Sequence, residues 1–130
     1  QQSVIVKRLN ADLNLGAEIV IVPTVREHDG LAVSSRNVFL GPDERKAAPV
    51  LHRALRLARD LKTTDAGELK RRMLEFIQNE PLARVDYVSV ADPHTLEEIS
   101  HVAGSALVSA AVRFGNVRLI DNITLGETEP

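Results

Sequence analysis

Ala106-Leu107-Val108-Ser109-Ala110-Ala111-Val112-Arg113-Phe114-Gly115-Asn116-Val117-Arg118-Leu119-Ile120-Asp121-Asn122-Ile123-Thr124-Leu125 is the stretch on which the fold turns. Its two apolar, β-branched runs, Ala106–Phe114 and Val117–Leu125, flank Gly115-Asn116, a two-residue connection of the kind that closes a tight antiparallel hairpin. Upstream, Val85–Val90 reads as a further strand stopped by Asp92-Pro93, and Thr95–Ile99 as at most a turn of helix. Before these strands come two helical patterns. One opens at Gly41-Pro42-Asp43-Glu44 and runs to about Lys62, with Ala47, Leu51, Leu55, Ala58 and Leu61 on its buried stripe. Pro49 should kink or divide it, because proline lacks a backbone donor. The other runs from an Asp65…Glu68 capping pair to Gln78, with Leu69, Met73, Phe76 and Ile77 in register, and Pro81 closes it. The expected fold class is α+β: a small three-stranded antiparallel sheet with helices on one face.

The amino-terminal stretch has a different grammar. Ile5, Leu9 and Leu13 recur at helical spacing, Asn14 to Gly16 ends that helix, and Ala17 to Val22 is a β-branched run suited to a strand buried on both faces. Helix, turn and buried strand make half of a βαβ unit. The chain opens Gln1-Gln2-Ser3 and its single methionine is Met73, so the expectation is a piece of a longer protein.

Composition narrows the function classes. With no cysteine among 130 residues, a disulfide framework, a thiolate metal site and a cysteine nucleophile are all excluded. Sixteen basic against eighteen acidic residues give a net charge of −2, which offers no general attraction for nucleic acid or an anionic membrane. Aromatics at 3% are too few for a base-stacking platform, and apolar runs such as Ile19–Pro23 are too short to cross a bilayer. The reading is a soluble, cytoplasmic protein.

The chemistry concentrates in Pro23-Thr24-Val25-Arg26-Glu27-His28-Asp29-Gly30-Leu31-Ala32-Val33-Ser34-Ser35-Arg36-Asn37, expected as a long loop with little periodicity. Ser34, Ser35 and Arg36 place two hydroxyls and a guanidinium side by side, a set that suits phosphate oxygens. Taken alone, a serine that caps a local turn beside a solvated arginine explains the same residues.

The whole segment resembles the pantoate–β-alanine ligase (pantothenate synthetase) family, meeting every fixed position of its P-x-x-R-x-x-D-G-L-A-x-S-S-R-N pattern. Gln1-Gln2 is similar to the end of the family's K-D-x-Q-Q segment, and Arg118-Leu119-Ile120-Asp121-Asn122 to its R-L-I-D-N strand. The resemblance implies a two-step ligase: pantoate's carboxylate attacks the α-phosphate of Mg2+-bound ATP, giving pantoyl adenylate and pyrophosphate, and the amine of β-alanine then displaces AMP to give pantothenate. It implies that Gln2 binds pantoate, that Val25 meets adenine through its backbone, and that Val33, Ser34, Ser35 and Arg36 hold the phosphates, with Ser34, Ser35 and Arg36 catalytic. This loop corresponds to the KMSKS-type signature of the wider nucleotidyltransferase superfamily. The Mg2+ would come with ATP and take no ligand from this chain. The implied organisation is a remnant of the Rossmann-like domain over residues 1–23 and a carboxy-terminal lid domain over residues 24–130, in a homodimer. The H-x-G-H histidines of the family lie in the half that is absent, so the isolated chain is expected to be inactive.

Other candidates read as structural. His28, His52, His94 and His101 lack a metal-ligand frame, with His28 an exposed loop side chain; Glu97-Glu98 suggests a solvated pair. Lys62 and Lys70-Arg71-Arg72 suggest a solvated helix face, and Asp121-Asn122 buried hydrogen bonding in the sheet. The competing function is a non-catalytic interaction or dimerisation module.

Overall fold

A computed structural model describes residues 25–126; the helix and strand expected before Pro23, the domain boundary at that point, and Gln2 lie outside the described residues. Within them the α+β expectation holds. Helix α1 (Pro42–Ala47) starts with proline and carries Asp43 and Glu44 in its first turn. The Gly41 amide donates to Glu44 Oε1 at 2.9 Å, satisfying a donor that the helix itself leaves orphaned. Pro49 divides the helical run as its missing N–H requires, and α2 (Val50–Leu61) begins immediately after it. Lys62, at φ 57, turns the chain out of α2 in the left-handed region. Helix α3 (Ala66–Gln78) is capped by Asp65, whose carboxylate accepts from the Glu68 amide at 3.2 Å. The return bond of a capping box is missing because Glu68 pairs instead with Arg71.

Strands β1 (Ala83–Ala91), β2 (Ser105–Phe114) and β3 (Val117–Gly126) form one antiparallel sheet in the order β1-β2-β3. Gly115, at φ +65, supplies the positive dihedral that the hairpin's first central position needs, and Phe114 then lies opposite Val117. A bulge between Val85 and Tyr87 shifts the register of β1 and β2. The two longer helices cover one face: α3 packs on β1, and α2 on β2 and β3. Ala106, Val108, Ala110, Val112 and Phe114, alternating along β2, meet Leu51, Leu55, Leu69, Met73 and Ile77 in the core.

Two segments are more ordered than the sequence suggested. Thr95–Ile99 contains no helix; Asp92 Oδ1 accepts from the amides of His94 and Thr95, and a short bridge pairs Ala91 with Glu98. The segment expected as a featureless loop is, from Val25 onward, a miniature hairpin followed by a 3-10 turn (Ser35–Phe39). Glu27 N–H donates to Leu31 O at 2.8 Å and Val33 N–H to Val25 O at 2.9 Å, bonds too few and too irregular to leave a period in the sequence.

Candidate functional site

The miniature hairpin is fixed to the domain by its own side chains. Arg26 donates to both carboxylate oxygens of Asp121 on β3, at 2.5 and 3.1 Å, and to the carbonyl of Gly30 at 3.2 Å. Asp121 is 5% exposed and Arg26 20% exposed, so this forked ion pair is largely sealed from water. Asp121 also accepts from the Asn122 amide at 2.8 Å. The structural reading of Asp121 is correct, but its main partner is a loop guanidinium ninety-five positions away, which strand patterning does not reveal.

Asp29 completes the tip. Its carboxylate accepts from the Leu31 amide at 3.3 Å and pairs with Arg45 of α1 at 2.8 Å. The Arg45 guanidinium holds the Asp29 carboxyl below the usual carboxylate range. Gly30 has φ +97, and a Cβ there would stand 2.5 Å from His52 Cδ2 on α2, so only glycine allows the hairpin to seat against that ring. Asn37 donates from Nδ2 to Ala32 O at 3.0 Å. Arg26, Asp29, Gly30 and Asn37 therefore build the loop.

Ser34 and Arg36 face a different task. Ser34 caps the 3-10 turn, its Oγ accepting from the Arg36 amide at 3.1 Å, and the hydroxyl hydrogen stays available to donate. The Arg36 side chain donates from Nη1 to the Arg118 carbonyl at 3.2 Å and has no carboxylate partner among the described residues. Both line a cleft of about 270 Å³ that also takes in His52, Arg118 and Asp121, with Leu31, Leu51 and Leu119 among its apolar walls. Ser35, Val25 and Val33 are exposed and lie outside the cleft wall. Arg118, quoted for the R-L-I-D-N resemblance, and His52, read as structural, are cleft residues that the sequence did not place in the site; neighbours on a strand and a helix distant in sequence give no local signal.

His52 Nδ1 is buried without a hydrogen-bond partner, 4.0 Å from Asp121 Oδ2. Burial, with the Arg26 cation beside it, pushes this imidazole below its usual value, outweighing the attraction of Asp121. In the unfolded chain His52 protonates near 6.5, whereas the folded domain resists that proton. The unfolded state then binds more protons just below pH 6.5, and stability falls as the pH drops through that window. Thermal melts between about pH 7.5 and 5.5 should show the decline, and His52→Gln should flatten it. An unchanged slope in the variant would refute the assignment.

Elsewhere, charges are neutralised in place. Glu98 is no free surface acid: although burial works to raise its carboxyl, Lys70 at 2.8 Å and the Ser89 hydroxyl together hold it low. Arg71 pairs with Glu68 and Glu75, and Arg72 with Glu68, the ordinary i,i+3 and i,i+4 pairs of a solvated face. Among the described residues no three His, Asp or Glu side chains gather to hold a metal ion, and no helix is long and apolar enough to cross a membrane.

Comparison with known proteins supplies the family. The family model described as pantoate-beta-alanine ligase matches residues 1–124. The pantothenate synthetase of Chloroflexus aggregans is 56% identical over 126 residues, covering 94% of this chain and 46% of that protein. That of Pelotomaculum thermopropionicum is 47% identical over 130 residues, 98% of this chain and 46% of the relative. This chain thus spans about half the length of the curated relatives it matches, and the match falls in their carboxy-terminal part. The crystal structure of pantothenate synthetase from Thermus thermophilus superposes with a TM-score of 0.87 at 44% identity, over 94% of this chain and 45% of that one. A pantoate-beta-alanine ligase from Francisella tularensis, solved with beta-gamma ATP and beta-alanine, gives 0.61 at 25% identity, over 94% and 39%. On the family match and these identities together, the chain belongs to the pantoate–β-alanine ligase family.

Proposed function

We propose that this chain is the carboxy-terminal portion of an ATP-dependent ligase that joins pantoate to β-alanine, and that its cleft addresses the phosphates of the nucleotide. The observation that carries this reading is the pairing of Ser34 and Arg36 on one wall of a cleft, held there by a loop whose Arg26 and Asp29 are already paired with Asp121 and Arg45. The Arg36 fork and the Ser34 hydroxyl, both exposed at the cleft, supply donors of the kind phosphate oxygens accept. The complex of the Francisella relative with beta-gamma ATP and beta-alanine supports the same choice of ligands.

The chemistry asks for donors because negative charge builds on phosphate oxygens as pyrophosphate departs. Pantoate's carboxylate would attack the α-phosphorus, forming an acyl–phosphate bond and breaking the α–β anhydride. The β-alanine amine would then attack the activated carbonyl, releasing AMP and a proton. Arg36 and Ser34 would steady the oxygens in the first step, with Ser35 at the rim. Val25 would meet adenine through its backbone, whose carbonyl already accepts from Val33, and Gln2 would bind pantoate. Mg2+ would arrive with the nucleotide and neutralise part of its charge. These donors address one side of the phosphates, so the isolated chain should bind nucleotide without turning over; the assembled parent would work in the cytoplasm as a homodimer.

An ATP titration tests the reading. Each hydrogen bond to a charged group contributes about 1.5–3 kcal/mol, so a Ser34→Ala, Arg36→Ala double variant should bind ATP at least tenfold more weakly than the parent chain. Equal binding by the two would leave a non-catalytic dimerisation module as the better account.

A further inference from the structure

His52 stands where the miniature hairpin, the ion pair that clamps it and the cleft meet, and the proposed ligase chemistry assigns it no task. Asp121 Oδ2 accepts from Arg26 Nη1 and lies 4.0 Å from His52 Nδ1, so one carboxylate oxygen faces two nitrogens. The other oxygen, Oδ1, is taken by Arg26 Nη2 and the Asn122 amide. Among the described residues Nδ1 is buried without a hydrogen-bond partner. Leaving a buried polar atom unpaired costs stability, so its presence at this junction asks for a reason.

The ring is also the seat of the hairpin tip. Gly30 rests so close to it that a Cβ there would stand 2.5 Å from His52 Cδ2. Drawing Nδ1 from 4.0 Å into hydrogen-bond range of Oδ2 takes a shift of about 1 Å, which moves the surface under Gly30. A charge on the ring would lie beside Arg26 of the hairpin and Arg56 and Arg59 of its own helix, with Asp121 as the opposing anion. On the other side of the tip, Asp29 and Arg45 hold each other ionised and do not change charge in mild acid. A neutral His52 leaves Oδ2 to Arg26, whereas a charged one competes for that oxygen and repels the guanidinium holding it.

Resting on the nucleotide reading above for what the cleft binds, we infer that His52 is a proton-sensitive positioning residue for the Ser34–Arg36 turn. Neutral, it lets Arg26 clamp Asp121 and seat the hairpin; protonated, it loosens that clamp and frees the turn from the cleft wall. Opening the hairpin lifts Arg26 and Gly30 off the ring and returns water to it. The open form therefore takes up a proton that the seated form resists, and opening becomes easier as the pH falls. A single imidazole released to its ordinary value near 6.5 favours the open hairpin by up to about tenfold between pH 7.5 and 5.5.

The test is amide hydrogen exchange on the full 130-residue chain, parent and His52→Gln, at about pH 7.5 and 5.5, corrected for the intrinsic pH dependence of exchange. The Glu27 and Val33 amides, which donate to Leu31 O and Val25 O across the hairpin, should open several-fold more often at the lower pH in the parent. In His52→Gln that ratio should fall to near one, although His28 at the tip is still present. If His52→Gln melts far below the parent, His52→Asn, whose amide nitrogen stands in for Nδ1, replaces it. Acceleration confined to core amides such as Val108 and Val112 means that the ring is released only by global unfolding, and overturns the inference. An equal response of the hairpin in parent and variant overturns it as well. ATP added at the higher pH should slow the hairpin amides of the parent. No slowing, with His52 still governing their opening, defeats the nucleotide reading and leaves the proton latch standing.

Discussion

Arg26→Ala should destabilise the domain by about 3 kcal/mol, the lower end of the cost of breaking a buried ion pair. The size follows from what remains behind. Asp121 is 5% exposed, so removing Arg26 strands a carboxylate where water cannot solvate it well, with the Asn122 amide as its remaining hydrogen-bond donor. The variant also releases the Gly30 carbonyl, to which Arg26 donates at 3.2 Å. Denaturant melts of the parent and the variant measure the loss. A second substitution, Asp121→Asn, in the Arg26→Ala background should restore part of it, because a neutral amide is less costly to bury than an unpaired charge. A loss under about 1 kcal/mol, typical of exposed pairs, would mean that the pair is solvated and the hairpin held by other contacts. The same variant should weaken ATP binding, since the turn bearing Ser34 and Arg36 is seated through this hairpin.

Phe114→Ala should cost about 3–5 kcal/mol. Of the three phenylalanines, Phe39 is 73% exposed and Phe76 half-buried, whereas Phe114 is sealed where β2 meets the hairpin turn. Truncating it removes apolar contact and leaves a cavity that the surrounding helices and strands fill only in part. Against a typical total of about 5–15 kcal/mol, that leaves a marginal domain. Phe39→Ala, by comparison, should leave the melting temperature almost unchanged. Equal melts for the two variants would contradict the core described above.

The fold was legible where local physics decides it. Gly115-Asn116 set the hairpin, Pro49 the break between α1 and α2, and Asp65 the start of α3, because turn chemistry, a missing donor and a cap act over a few residues. The site was legible in part. Ser34 and Arg36 come together in the cleft, and the modest structural role foreseen for a serine, capping a local turn, is also met by Ser34. Asp121's charged partner and the orphaned nitrogen of His52 could not be read from the chain. Each depends on a register or a packing contact between residues remote in sequence. Glu97 and Glu98 are both exposed, as a surface pair should be, but the contacts of Glu98 with Ser89 and Lys70 beside the Ala91–Glu98 bridge left no mark in the sequence.

The link between Arg26 and Asp121 also orders events in time. Ninety-five positions separate its ends, and the acceptor sits on the last strand of the sheet. During synthesis the arginine leaves the ribosome early and must wait, unclamped, for nearly all the intervening chain before its acceptor emerges. Closing so long a loop carries an entropic cost that the sheet and helices must meet first. The seating of the Ser34–Arg36 turn is thus the final thing this domain acquires as it is made, and a transcript cut short before Asp121 yields a polypeptide that never anchors the hairpin bearing it.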